Sequence, residues 1–163
     1  MTDLSIYFAF PGDLETPTGG YRYDRRLIGE LRRIGVNVET VALPHCSGIP
    51  DQPVLSSVQQ TLAAIPDQAV VVIDGLAFGV LDDIAVAEAQ RLRLVALCHH
   101  PLALETGLDE RHRQALLVSE RRALKCARAT VVTSAHTRQI LIDQLAVPPE
   151  RVSVALPGTD RVP

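Results

Sequence analysis

The chain is expected to fold as an α/β protein around a mainly parallel sheet, and three features carry that expectation. Short apolar runs alternate with amphipathic stretches along the whole sequence. Two of the runs, AVVVID (69–74) and RLVALC (93–98), are apolar almost throughout, as strands covered on both faces must be. The composition, 47% hydrophobic and 21% charged over 163 residues, is that of an ordinary globular domain long enough to bury a core.

The elements then follow in order. LSIYFAF (4–10) reads as the first strand, and a loop rich in proline and glycine (Pro11, Gly12, Pro17, Gly19, Gly20) follows it. In GYRYDRRLIGELRRIG (20–35), Tyr23, Leu27, Leu31 and Ile34 recur at helical spacing, with arginines on the other faces and Gly35 as the stop. Residues 36–43 are a second strand and 54–65 a helix. The third strand (69–74), a helix within 80–92 and the fourth strand (93–98) come next. A long helix over 109–127 turns Leu116, Leu117, Ala123, Leu124 and Ala127 inward. ATVVTS (129–134) is the fifth strand, and Ser134 is placed to cap a helix over 135–146. RVSVAL (151–156) is a sixth, short strand, before a linker-like tail. About six strands and five helices make a doubly wound, Rossmann-like sheet with helices on both faces, and 3-2-1-4-5-6 is the most economical strand order.

Several function classes are disfavoured at this level. A formal net charge of −3 is wrong for a general nucleic-acid binder. No run reaches the ~18 apolar residues of a transmembrane helix, and the N-terminus, with Asp3 in place of a basic region, does not read as a signal peptide. Cys46, Cys98 and Cys126 are widely spaced and odd in number, which suggests free thiols and a cytoplasmic setting. Arg111, Arg113, Arg121 and Arg122 would offer peripheral contact to an anionic membrane, but Glu110 and Glu120 interleave with them, as on a solvated helix face.

Ligands of open α/β sheets bind beyond the carboxyl ends of the strands, at the switch point. Gly19 and Gly20 lie after the first strand, Asp74 and Gly75 after the third, and His99 and His100 directly after the fourth. The glycines would let a ligand approach the backbone and present the next helix's amides to a phosphate or a sugar hydroxyl; equally, they are a flexible turn. Adjacent residues on extended chain point apart, so only one histidine should face a ligand. The other reading leaves one against the core edge and one in water. No zinc spacing, no G-x-G-x-x-G and no G-x-S-x-G is present, so neither a metal, nor NAD, nor a serine nucleophile is expected.

The series GGYRYDRRLIGELRRIGVNVETVAL, VVVIDG, LVALCHHP and ATVVTSAHTRQIL…VPPERVSVALPGTD resembles the N-terminal half of the retaining GT-B glycosyltransferases, specifically glycosyltransferase family 4. The resemblance spans nearly the whole chain. It implies that Gly19 and Gly20 lie near the donor diphosphate and the acceptor, and that His99 is the catalytic histidine near the transferred sugar, His100 being the alternative; Tyr21 and Tyr23, beside the glycine pair, are the candidate rings for stacking on a sugar. It further implies substrate contacts at Ser134 and Thr137; Glu105, in the loop after the two histidines, is a further substrate-binding candidate. VSVALPGTD resembles the family's V-x-P-N-G-V-D crossing between domains, keeping Gly158 and Asp160 but carrying Thr159 where valine is usual and Leu156-Pro157 in place of Pro-Asn.

On this resemblance residues 1–155 form the acceptor-side domain and 156–163 the start of a linker, with the donor-binding E-x(7)-E half outside this sequence. The partners implied are a nucleotide-sugar donor and a sugar, lipid or small-molecule acceptor. No cofactor is implied, and the chain alone is expected to be inactive. The alternative from a different class is a stand-alone binding module for a small phosphorylated or sugar ligand.

Overall fold

A computed structural model describes residues 5–45 and 48–159. In chain order the elements are β1 (Ser5–Pro11), α1 (Gly19–Arg33), β2 (Asn37–Leu43), α2 (Gln52–Ala63), β3 (Val70–Asp74), α3 (Gly75–Phe78), α4 (Asp82–Glu88), β4 (Arg93–Cys98), α5 (Glu110–Cys126), β5 (Ala129–Val132), α6 (Ala135–Asp143) and β6 (Val152–Val154). Short 3-10 turns lie at Leu102–Leu104 and Pro149–Arg151. The six strands form one sheet, every neighbouring pair parallel. Helices flank it, so the expected fold class is the observed one.

The strand order, however, is β2-β1-β3-β4-β5-β6, not 3-2-1-4-5-6. β1 pairs with β2 on one side and β3 on the other, which moves the switch point to the β1/β3 boundary. The cause is compositional. β2 exposes Asn37, Glu39 and Thr40 and suits an edge, whereas Val71 and Ile73 of β3 are buried and suit the interior.

The period of two in β1 divides the core. Phe8 and Phe10 join Tyr21, Ile28, Val38 and Leu97 beneath α1, while Ala9 belongs to the larger cluster with Val58, Leu62, Ile73, Leu94 and Leu124. Helix α1 starts at Gly19, a residue earlier than expected, because Thr18 Oγ1 accepts the Tyr21 N–H. It ends at Arg33, and beyond it Gly35, with a φ of +89°, lets the Val36 N–H close on the Leu31 carbonyl. Its buried face is Tyr21, Asp24 and Ile28; Tyr23, Leu27 and Leu31 pack at the flank, and Ile34 is exposed. The expected face was therefore rotated.

In α5, Leu116, Ala123 and Leu124 are buried as expected and Leu117 is half-buried, but Glu120 is buried with them. The single helix expected within 80–92 is α4 alone, because the turn after β3 holds a separate short helix, α3.

That turn depends on Gly75. A Cβ there would lie 2.9 Å from the Leu97 carbonyl oxygen and 3.3 Å from Cys98 Cα, both backbone of a central strand that cannot yield. Gly75→Ala is expected to cost about 2 kcal/mol by overpacking. Urea titration checks this, and an unchanged midpoint would show that α3 has room to move.

Candidate functional site

Three groups converge over the carboxyl ends of β3 and β4. Asp24 projects from the buried face of α1, Asp74 ends β3, and His99 follows β4. His99 Nε2 lies 3.0 Å from Asp24 Oδ1 and 3.7 Å from Asp74 Oδ2. Both aspartates are fully buried, while the His99 side chain keeps 22% of its surface exposed. Asp74 Oδ1 accepts the Leu76 N–H at 2.8 Å and so caps α3.

The α1 N-terminus rests on the same histidine. A Cβ on Gly20 would stand 3.3 Å from His99 Cδ2, so a larger side chain would press on the ring. Tyr23 meets His99 edge-on, with ring centroids 5.2 Å apart, and its hydroxyl donates to the Ala155 carbonyl at 2.9 Å. On the other side Thr137 Oγ1 donates to the His99 carbonyl at 3.3 Å. The ring is thus set from three elements. An imidazole with its Nε2 on a carboxylate has its tautomer fixed, leaving Nδ1 for other partners.

Charge follows from this packing. Burial pushes the Asp74 carboxyl up to about 7, helped by the negative charge of Asp24 and a hydrogen bond with it; the Leu76 N–H and His99 pull the other way. Burial works against a charged His99, but the Asp24 hydrogen bond and charge, and then Asp74, outweigh it and raise its pKa. With both carboxyls ionised, Oδ2 of each aspartate is buried without a donor. A proton on Asp74 turns one of those acceptors into a donor and relieves both.

Among the described residues, Asp24, Asp74 and His99 are the group whose ligand-type atoms lie close enough to hold a metal ion, all within 4.8 Å of one another. The switch-point rule places Asp74 and His99 on one strand edge, but the sequence pattern does not join Asp24 to them. Cys98 itself is buried, which raises its thiol pKa far above the ordinary value and makes it a poor nucleophile or ligand.

The other expected residues fall as follows. Gly19 and Gly20 lie in the first turn of α1, where N–H groups have no helical acceptor. Tyr21 is buried and donates its hydroxyl to the Pro11 carbonyl, so Tyr23 is the ring beside the histidine. His100 is exposed. Ser134 caps α6 by accepting the Thr137 N–H at 3.0 Å, and Thr137 is itself buried. Glu105 borders a separate cavity of about 300 Å³, with Leu76, Val80, Leu102 and Leu116 on its walls. A larger cleft of about 480 Å³ runs from Tyr23, Arg26 and Leu27 to the chain after β6 (155–158). Asp160 and Cys46 lie outside the described residues.

Asp24 and Glu120 were the functional candidates missed. Positions 20, 24 and 28 share one helical face, and that spacing alone puts Asp24 under the glycine pair. Glu120, read as solvated, is 2% exposed and accepts the N–H groups of Leu102 and Ala103.

The family model of Glycosyltransferase Family 4 matches residues 67–161, more than half of the chain. The chain belongs to glycosyltransferase family 4. The match takes in β3 to β6, and with them Asp74, His99, Glu120 and Thr137; β1 and α1, with Gly20 and Asp24, lie before it. Comparison with curated proteins gives no match. The domain is thus of the glycosyltransferase type, and no described helix is long and apolar enough to cross a membrane.

Proposed function

We propose that this family 4 domain forms the acceptor-side wall of a retaining glycosyltransferase of GT-B type acting on a nucleotide-sugar donor in the cytoplasm. The carrying observation is the Asp24–His99 pair at 3.0 Å, packed under Gly20 at the switch-point edge. Transfer with retention builds positive charge on the sugar and negative charge on the departing diphosphate. The amides opening α1 suit the diphosphate, as helix N-termini suit anions. His99, held by Asp24 through Nε2, hydrogen-bonds a sugar hydroxyl through Nδ1 and orients the sugar during transfer. A second domain supplies the nucleotide pocket and the remaining cations, so the 163-residue chain is one half of the site.

The test is a titration of the isotopically labelled chain with nucleoside diphosphate sugars carrying different bases. The amide resonances of Gly19 and Gly20 and the ring of His99 are expected to shift, with no sugar transfer by this chain alone. A full panel that moves none of these resonances would sink the donor assignment. Turnover by the single domain would refute the division of labour.

A further inference from the structure

Glu120 lies outside the cluster just described and occupies the apolar stripe of α5 between Leu116 and Leu124, where its spacing would suit a leucine. Removing a carboxyl group from water is costly unless hydrogen bonds replace the lost hydration. Here they come from the loop after β4: the Leu102 N–H reaches Oε1 at 3.2 Å and the Ala103 N–H lies 3.4 Å from Oε2. Both amides open the 3-10 turn Leu102–Leu104, both residues are buried, and neither amide has a helical acceptor. From the facing turn, a Cβ on Gly79 would stand 3.4 Å from Glu120 Oε1, and Ser119 Oγ donates to the Gly79 carbonyl at 2.8 Å.

We propose that Glu120 is a positioning residue that fixes the path of the β4–α5 loop and, through it, the ring of His99. This role rests on the reading of His99 as the sugar-orienting group. The loop is clamped twice, at His99 by Thr137 Oγ1 on its carbonyl and at Leu102 and Ala103 by Glu120. Between the clamps stand only His100 and Pro101, and the ring of Pro101 fixes one of its own two backbone torsions. Slack at the second clamp therefore passes to the first.

The titratable groups around Glu120 are few. Burial raises its pKa, His100 opposes that, Glu105 adds to it, and Cys98 lies near enough to feel its charge. Opening the loop would hydrate the carboxylate, so loosening of the clamp should accompany ionisation.

Amide exchange and histidine titration on the labelled 163-residue chain test the role, with Glu120→Gln and Glu120→Ala. Glutamine keeps an oxygen for one N–H but sets its amide group against the other. Exchange at Ala103 or Leu102 should quicken about tenfold in Glu120→Gln and about a hundredfold at both positions in Glu120→Ala. The titration midpoint of His99 should move in Glu120→Ala and return towards the parent value in Glu120→Gln.

Faster exchange with an unmoved His99 midpoint would leave Glu120 a purely structural residue and overturn the proposal. Unchanged exchange would overturn it as well. Should the alanine variant not fold, the glutamine variant and the unmodified chain decide. In the latter, protection at both amides, corrected for intrinsic exchange, is expected to fall between pH 5 and 8; constant protection counts against the clamp. None of these readouts involves a sugar donor, so they can fail while the transferase reading stands, and the converse also holds.

Discussion

Raising the pH from 5 to 8 is expected to lower the thermal midpoint of this domain, against the usual behaviour of a protein held by ionised carboxylates. Burial, then the charge and hydrogen bond of Asp24, push Asp74 up to about 7, and burial brings Glu120 to about 7 as well. In the unfolded chain both ionise near ~4. Between those limits the folded state keeps protons that the unfolded state has lost. The stability contribution is complete below the unfolded values and disappears as pH rises through the folded ones. His99 acts with the same sign: its raised pKa contributes stability below its ordinary value that is lost as the pH climbs through the folded one. Asp109 is lowered by accepting the His112 backbone N–H and side chain at the start of α5, but its contribution is lost only towards strong acid, outside this window.

At 1.36 kcal/mol per pK unit the combined effect is on the order of 5 kcal/mol, or roughly 10 °C in midpoint for a domain of this size. Asp74→Asn should remove about half of the slope. Its amide oxygen still receives the Leu76 N–H, and its NH2 stands where the proton stood towards Asp24. Calorimetry at four or five pH values decides the matter. A midpoint that climbs from pH 5 to 8 would mean that these carboxyls are ionised within the fold.

The second large effect concerns Asp24. On the proposed function, in which a second domain supplies the donor half, Asp24→Asn is expected to reduce transfer by the two-domain enzyme on the order of 100-fold. Asparagine has nearly the same shape, so packing under Gly20 survives. What disappears is the negative charge 3.0 Å from His99 Nε2, which raises the pKa of the imidazole and keeps a proton on Nε2. On the isolated chain the same substitution should lower the His99 titration midpoint. His99→Ala should cost as much, and the double variant little more, because the two side chains act as a unit. Full transfer by a variant whose His99 midpoint has fallen would show that the charge of the ring is irrelevant.

Much of this fold is legible in the sequence because local and global signals agree. The runs at 69–74 and 93–98 could only be covered strands, and Gly35 could only be a stop. The strand order was misread because chain economy was weighed above composition. NVETVAL, with polar side chains at Asn37, Glu39 and Thr40, already marks an edge. The place of His99 at the strand edge was legible from the switch-point rule. Its partner was not, because a charged residue amid arginines reads as solvated until its spacing from Gly20 and Ile28 is counted. Glu120 failed for the same reason beside Arg121 and Arg122. In both cases tertiary hydrogen bonds decide the burial, and those do not show in a local pattern.

The strand order also bears on how the domain is made. Once β1 and β2 have paired, β3 joins the free border of β1, and each later strand then joins its predecessor: β4 on β3, β5 on β4 and β6 on β5. A chain emerging from the ribosome would thus meet a finished template at each step and never need to insert a strand between two already joined. Such growth keeps the search for partners short and leaves little apolar border waiting uncovered during synthesis.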